Sequence, residues 1–243
     1  MNKTKIETVD YTWNPITGCS KGCSYCYARK LASGRLSNDY LVNMVIAPPL
    51  GRNYHECLKD PFTPRFWPNR LHEVDVKNPR SIFVCNMGDL FGPEIPESWQ
   101  QLVFASILAN PQHTYQLYTK QPQNLRRWSP YPSNCFVGIS AINQTQFNVG
   151  LMCLMDIKAT IKFISFEPLH SLVRTSGRHL SEAGIKWVII GGQTKPTLMP
   201  HITWVKSIFD VAVEAGCDIF IKSNIHELVA SNGLTPYQEI PIL

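Results

Sequence analysis

No apolar run in these 243 residues is long enough to span a bilayer, which argues against membrane insertion. Repeats at a fixed period, low-complexity tracts, long runs of one charge and linker-like stretches are also missing, so solenoid, fibrous and disordered architectures lack support. The opening residues MNKTKIETVDYTWNP lack the apolar core of a secretory signal, and the cytoplasm is the expected compartment. Charge is sparse: 17% of residues are charged and the net charge is +5, too modest to select a partner by itself. The hydrophobic share of 44% suits a globular enzyme or binding protein, and a chain of this length buries a large core without staples.

Cysteine is distributed unevenly. Cys57, Cys85, Cys135, Cys153 and Cys217 are scattered singly and read as small hydrophobes in a reducing compartment. Cys19, Cys23 and Cys26 instead crowd into TGCSKGCSYCYAR, residues Thr17 to Arg29, with C-x3-C-x2-C spacing. Sulfur this concentrated needs a chemical reason.

Val9 to Trp13 reads as a short strand, followed at once by the cysteine loop and by a helix-compatible stretch from Tyr27 to Leu36. Asn38 to Pro79 is proline-rich and irregular. It is expected to be a long excursion with some helix around Tyr54 to Lys59, lying over one face of the domain. Beyond Pro79 the chain becomes rhythmic: SIFVCNM, TYQLYT, CFVGIS, IKFISFEP, KWVIIGG and DIFIK alternate with segments of helical length such as Ser98 to Ala109 and Thr203 to Ala215. Nearly continuous apolar strands alternating with helices predict a parallel sheet covered by helices. The dinucleotide fingerprint is absent after the first strand, which argues against a Rossmann fold. The expected architecture is α/β: one domain over residues 1–243, a full or partial TIM-type barrel of six or seven βα units with parallel strands and an irregular excursion at 38–79.

Polar residues gather where these strands end: Asn86 and Asp89, Thr119 and Lys120, Ser140, Glu167, Gly191 to Gln193, and Lys222 with Ser223. In α/β barrels that edge carries the active site, and the cysteine loop opens on the same edge. Three thiolates on a tight loop can hold a metal. Structural zinc wants four closed ligands, and a fourth would have to come from His55, Cys57 or His72 in the excursion. A redox pair needs only C-x-x-C and leaves Cys19 without a role. Iron-sulfur cubanes are held by cysteine thiolates, normally four, so three would leave one iron open to an outside ligand.

The spacing, with aromatic Tyr25 before the last cysteine, resembles the signature of the radical S-adenosylmethionine (SAM) superfamily, and GCSKGCSYCYA is especially similar to the loop of its DNA photoproduct lyases. Across nearly the whole chain, TWNPITGC, FVCNMGDLF, PQHTYQLYTKQP, FVGIS, FISFEPL and WVIIGGQT resemble blocks of an uncharacterised three-cysteine family often encoded by phages, most of whose members have a longer spacer between the first two cysteines. That family has no settled activity to carry over. The superfamily resemblance implies that Cys19, Cys23 and Cys26 ligate a [4Fe-4S] cluster whose fourth iron is chelated by SAM. One electron from an external donor would then cleave SAM to methionine and a 5′-deoxyadenosyl radical, while the protein supplies placement and exclusion of water.

On the same resemblance, the motif that receives the methionine amino group falls on Asn86 to Asp89, with Asp89 the carboxylate best placed to accept it. Lys120 would pair with the methionine carboxylate, Ser140 and Glu167 with SAM hydroxyls or substrate groups, and Gly191 and Gly192 would allow close approach of adenine or ribose. Tyr25 and Tyr27 would pack on the cofactor. The expected substrate is a nucleic-acid base or nucleotide, repaired or modified, with RFWPNR and NLRRW supplying stacking and phosphate contacts. A radical SAM modifier of a peptide or small molecule, and a noncatalytic zinc-stabilised barrel that binds a partner, remain open alternatives.

Overall fold

The computed structural model describes residues 1–242, and the chain falls into two compact units, Met1–Asn124 and Leu125–Leu243. The first unit begins with strands β1 (Asn2–Lys3), β2 (Tyr11–Trp13) and β3 (Ile16–Thr17). Helices α1 (Tyr27–Ala32), α2 (Ser37–Leu41) and α3 (Tyr54–Lys59) follow, then β4 (Arg65–Phe66), β5 (Ser81–Val84), α4 (Glu97–Ala109) and β6 (Thr114–Thr119). The second unit contains β7 (Cys135–Ser140), α5 (Gln144–Met155), β8 (Ile161–Phe166), α6 (Gly177–Glu182) and β9 (Ile185–Ile190). It continues with a hairpin of β10 (Gln193–Thr194) and β11 (Thr197–Leu198), then α7 (Ile202–Glu214), β12 (Asp218–Ile221) and α8 (His226–Ala230).

Each unit carries four strands of a mostly parallel sheet alternating with helices, so the α/β class expected from the strand rhythm is present. Within the first unit the order is β1-β2-β5-β6, and only β1 runs antiparallel to its neighbour. Within the second it is β7-β8-β9-β12, all parallel. Among the described residues, no pairing closes the strands of either unit into a barrel. Nor is any helix among them long and apolar enough to cross a membrane.

The local reasons for these elements are chemical. Asn53 caps α3 by accepting from the N–H groups of His55 and Glu56, and Asn143 and Ser176 cap α5 and α6 in the same manner. Helix α4 buries Gln100, Val103, Phe104 and Ile107, the spacing of one helical face. In the second unit Trp187 of β9 meets Phe163 at 5.5 Å, Phe136 at 6.2 Å and Phe220 at 6.4 Å, an aromatic centre shared by the four parallel strands.

The excursion contains more order than its composition suggests. Its helix at Tyr54–Lys59 is as expected, and β4 pairs antiparallel with β3, Ile16 opposite Phe66 and Thr17 opposite Arg65. That ladder pins the far end of the excursion to the strand that leads directly into the cysteine loop.

Candidate functional site

The cysteine loop starts where β3 ends, and its first step is a junction made of backbone. Gly18 has φ +87°, donates its N–H to the Met87 carbonyl at 2.8 Å, and bridges Gly88 in the turn after β5. A Cβ on Gly18 would stand 2.5 Å from the Thr63 carbonyl oxygen, and one on Gly88 would stand 2.8 Å from the Gly18 carbonyl oxygen. Glycine is required here by both conformation and space. Gly18→Ala is therefore expected to lower stability by about 3 kcal/mol or more, read from urea denaturation. A loss below about 0.5 kcal/mol would mean the junction is not close-packed.

Beyond that junction each sulfur meets local donors or neighbours. Cys19 Sγ accepts the Lys21 N–H at 3.4 Å, and Cys26 Sγ accepts the Arg29 N–H at 3.3 Å while capping α1. All three cysteines are free and half-buried. Burial pushes the Cys19 thiol up to about 12, the Asp89 carboxylate adds to the rise, and the Lys21 N–H opposes it. Loading a cation on Cys19 would therefore release a proton. The Tyr25 hydroxyl is also raised, first by burial and then by the neighbouring Cys23 and Cys26. Lys120 Nζ lies 5.7 Å from the centre of the Tyr25 ring, and Lys21 Nζ donates to the Lys120 carbonyl at 3.1 Å, so two ammonium groups are held beside the loop.

Asp89 is buried and turned onto the protein. Its Oδ1 accepts from the Phe91 N–H at 3.0 Å and the Thr119 hydroxyl at 2.8 Å, and its Oδ2 accepts from the Lys120 N–H at 3.0 Å. A carboxylate offers about four acceptor positions, and three of these are used internally. Burial raises its pKa, while the same three donors pull it down. Asp89 thus ties the turn after β5 to the end of β6. Asn86 accepts from Asn14 Nδ2 at 2.8 Å and donates to the Tyr27 hydroxyl at 3.2 Å, and that hydroxyl donates to the Asn86 carbonyl at 2.6 Å.

Glu94 was not anticipated. Its Oε1 accepts the Ser20 N–H at 3.0 Å, next to Cys19, and its Oε2 is buried with no hydrogen-bond partner. In the sequence it lies in PEIPES, where an acidic residue reads as an ordinary helix-start signal.

The second unit carries the other strand-end candidates. Ser140 closes β7, opposite Ser165 in register. Glu167 Oε2 lies 3.9 Å from Lys222 Nζ, and a Cβ on Gly191 would stand 2.9 Å from Lys222 Cγ and 3.2 Å from Glu167 Cγ. Gly192 donates its N–H to Asn224 Oδ1 at 3.3 Å and accepts from Asn224 Nδ2 at 2.7 Å. Glu167, Gly191 and Lys222 are therefore brought together, and the glycine is explained by the approach of the two side chains.

Residues 3–229 match a family model described as a protein of unknown function, DUF5131. The chain belongs to the DUF5131 family. No curated protein and no solved structure matches it. The family match spans the cysteine loop and every strand from β2 to β12, so both candidate clusters of this DUF5131 protein lie inside the family's shared region.

Among the described residues no group of three or more His, Cys, Asp and Glu side chains converges to hold a metal ion. The excursion residues considered as a fourth zinc ligand lie elsewhere: Cys57 is buried, His55 is exposed, and His72 is bonded to Asp75 at 2.9 Å. RFWPNR does not present a basic stripe. Arg65 is fully buried, and Arg70 stacks 3.9 Å over the Trp67 ring while donating to the Asn14 carbonyl at 3.1 Å. In NLRRW, Arg126 and Arg127 are exposed and Trp128 is half-buried.

Proposed function

We propose that this DUF5131 protein is a radical SAM enzyme acting on a nucleic-acid base or nucleotide in the cytoplasm, with an external electron donor. The observation that carries the reading is the C-x3-C-x2-C loop of free cysteines, started by the Gly18 junction and ended by the Cys26 cap of α1. The donor set suits an iron-sulfur cluster chemically: three thiols, two of which already accept backbone N–H bonds of the kind that support a thiolate ligand. Bound there, a [4Fe-4S] cluster would supply the electron that cleaves SAM to methionine and a 5′-deoxyadenosyl radical.

The rest of the work belongs to the chain. Cys19, Cys23 and Cys26 hold the irons; Tyr25 shields them; Asp89 and Asn86 fix the loops around them rather than standing free. Glu94 holds Ser20, and with it the approach to Cys19. Lys120 supplies positive charge for the methionine carboxylate. The same proposal assigns Ser140, Glu167, Gly191 and Gly192 to SAM contacts, and reads the mostly parallel sheet as a partial barrel of six or seven βα units.

Anaerobic reconstitution tests the reading. The full chain should turn brown, bind about four irons, and convert SAM to 5′-deoxyadenosine once reduced. Colourless protein with one tightly bound zinc would sink it.

A further inference from the structure

We propose that Phe83 of β5 and Tyr118 of β6 seat the base of a nucleotide, with Lys21 as the cationic partner of its phosphate. This rests on the radical SAM reading above and names the substrate position at that site.

Strand geometry separates two faces in the first unit. Successive residues alternate sides, and the register sets Thr12, Phe83 and Gln116 side by side, so these share a face that Tyr118 joins two residues on. On the opposite face Ile82, Val84, Tyr115 and Leu117 are all buried, as a sheet packed against helices requires. Phe83 and Tyr118 are not buried to the same extent. They are half-buried and stacked on each other, with ring centres 4.3 Å apart and planes inclined by 25°.

The pair is also preorganised. The Tyr118 hydroxyl donates to Gln116 Oε1 at 3.1 Å, and the fully buried Gln116 donates through Nε2 to the Thr8 carbonyl at 2.8 Å, which fixes the tyrosine in place. A rigid aromatic surface of this kind binds a planar ring at low entropic cost. Its position suits the chemistry, because Phe83 and Tyr118 immediately precede the strand ends whose turns carry Asn86, Asp89 and Lys120, and the first of these turns is bonded to Gly18 of the cysteine loop. Lys21 Nζ is bonded to the carbonyl of Lys120, two residues after Tyr118, so a second ammonium group besides the one assigned to SAM lies near the end of β6 for an anionic ligand. Trp67, expected to stack from sequence, is otherwise engaged: it is covered by Arg70 and packs against Tyr40 at 5.6 Å.

The test is fluorescence titration of the full chain with 2-aminopurine riboside 5′-monophosphate, whose emission falls on stacking, in saturating S-adenosylhomocysteine to occupy any SAM site. Saturable quenching is expected. Phe83→Leu and Tyr118→Leu should each weaken binding about tenfold or more, Phe83→Tyr should retain it, and adenosine monophosphate should compete far better than ribose 5-phosphate. Absent quenching, or equal competition by ribose 5-phosphate, overturns the proposal without reliance on any variant, as does wild-type affinity in a folded Phe83→Leu protein. SAM cleavage measured on the same preparations separates the two readings. Base-dependent binding without SAM cleavage supports the seat and removes the radical chemistry, whereas SAM cleavage without base-dependent binding overturns the seat and leaves the chemistry standing.

Discussion

Alanine at Cys19, Cys23 or Cys26 is expected to leave the reconstituted protein colourless and to lower SAM cleavage by more than about 100-fold, the upper range for disturbing even the groups that support a metal ligand. With only three thiolates available, removing one leaves no spare sulfur on the loop, because Cys57, Cys85, Cys135 and Cys217 are buried elsewhere. Cys153→Ala is the control. Cys153 lies on α5, and its loss should leave iron content and cleavage unchanged. Iron and acid-labile sulfide, the visible spectrum and 5′-deoxyadenosine provide independent readouts. Retained cleavage in any of the three loop variants would refute the cluster assignment, and loss of colour in Cys153→Ala would point to a different set of ligands. Serine variants sharpen the comparison, since oxygen keeps the size of the side chain but binds iron more weakly.

The second large effect lies away from the sulfurs. Arg65→Ala is expected to cost about 3–5 kcal/mol of stability, the range for removing one partner from a buried charged network. The Arg65 side chain is fully buried, and its guanidinium donates to the carbonyls of Leu58 and Asp60, both at 3.0 Å, and to that of Asn43. Burial lowers its pKa, and the nearby Asp60 opposes the shift. Truncation removes a donor from three carbonyls; that of Asp60 keeps the Thr63 N–H at 3.1 Å, while those of Asn43 and Leu58 lose theirs, each costing about 1–3 kcal/mol when it stays dry. Arg65→Lys should fall between alanine and wild type, since one ammonium cannot reproduce the planar fork that reaches several carbonyls.

The position of Arg65 extends the consequence. It pairs with Thr17 across β3 and β4, and Thr17 is two residues from Cys19. Arg65→Ala should therefore also lower iron loading. Urea denaturation measures the first effect, and limited proteolysis between residues 43 and 65 locates it. An alanine variant that unfolds within about 0.5 kcal/mol of wild type would show that the excursion does not depend on this hub.

Strand positions were legible in the sequence because their signal is local. TYQLYT and CFVGIS are β6 and β7 to the residue, and the runs that begin at Ser81, Ile161 and Asp218 are strands from their first residue. The helix at Tyr54–Lys59 was visible as well, and the structure adds that Asn53 caps it. The short pieces were not visible. Strands β3 and β4 contain two residues each, and the pairing of Ile16 with Phe66 spans fifty positions, so no window along the chain contains the information. The same limit explains the basic segment RFWPNR. Composition marks it as a surface for phosphate, but Arg65 is drawn inward by the carbonyl of Leu58, and Arg70 by the distant carbonyl of Asn14 and by the Trp67 ring of the segment itself.

What the sequence by itself determined is the α/β class, the strand-and-helix rhythm and the crowding of Cys19, Cys23 and Cys26 on one loop after the first strands. These follow from residue type and spacing over a few positions. Only the tertiary structure decided that Asp89 faces inward onto Phe91, Thr119 and Lys120, that Glu94 holds Ser20, and that Phe83 and Tyr118 form a stacked, half-buried aromatic pair. The physical reason is that burial and hydrogen-bond capacity are shared among residues brought together from distant parts of the chain. Whether a carboxylate, a guanidinium or a ring is consumed by its neighbours or left for a ligand is settled only once those neighbours are in place.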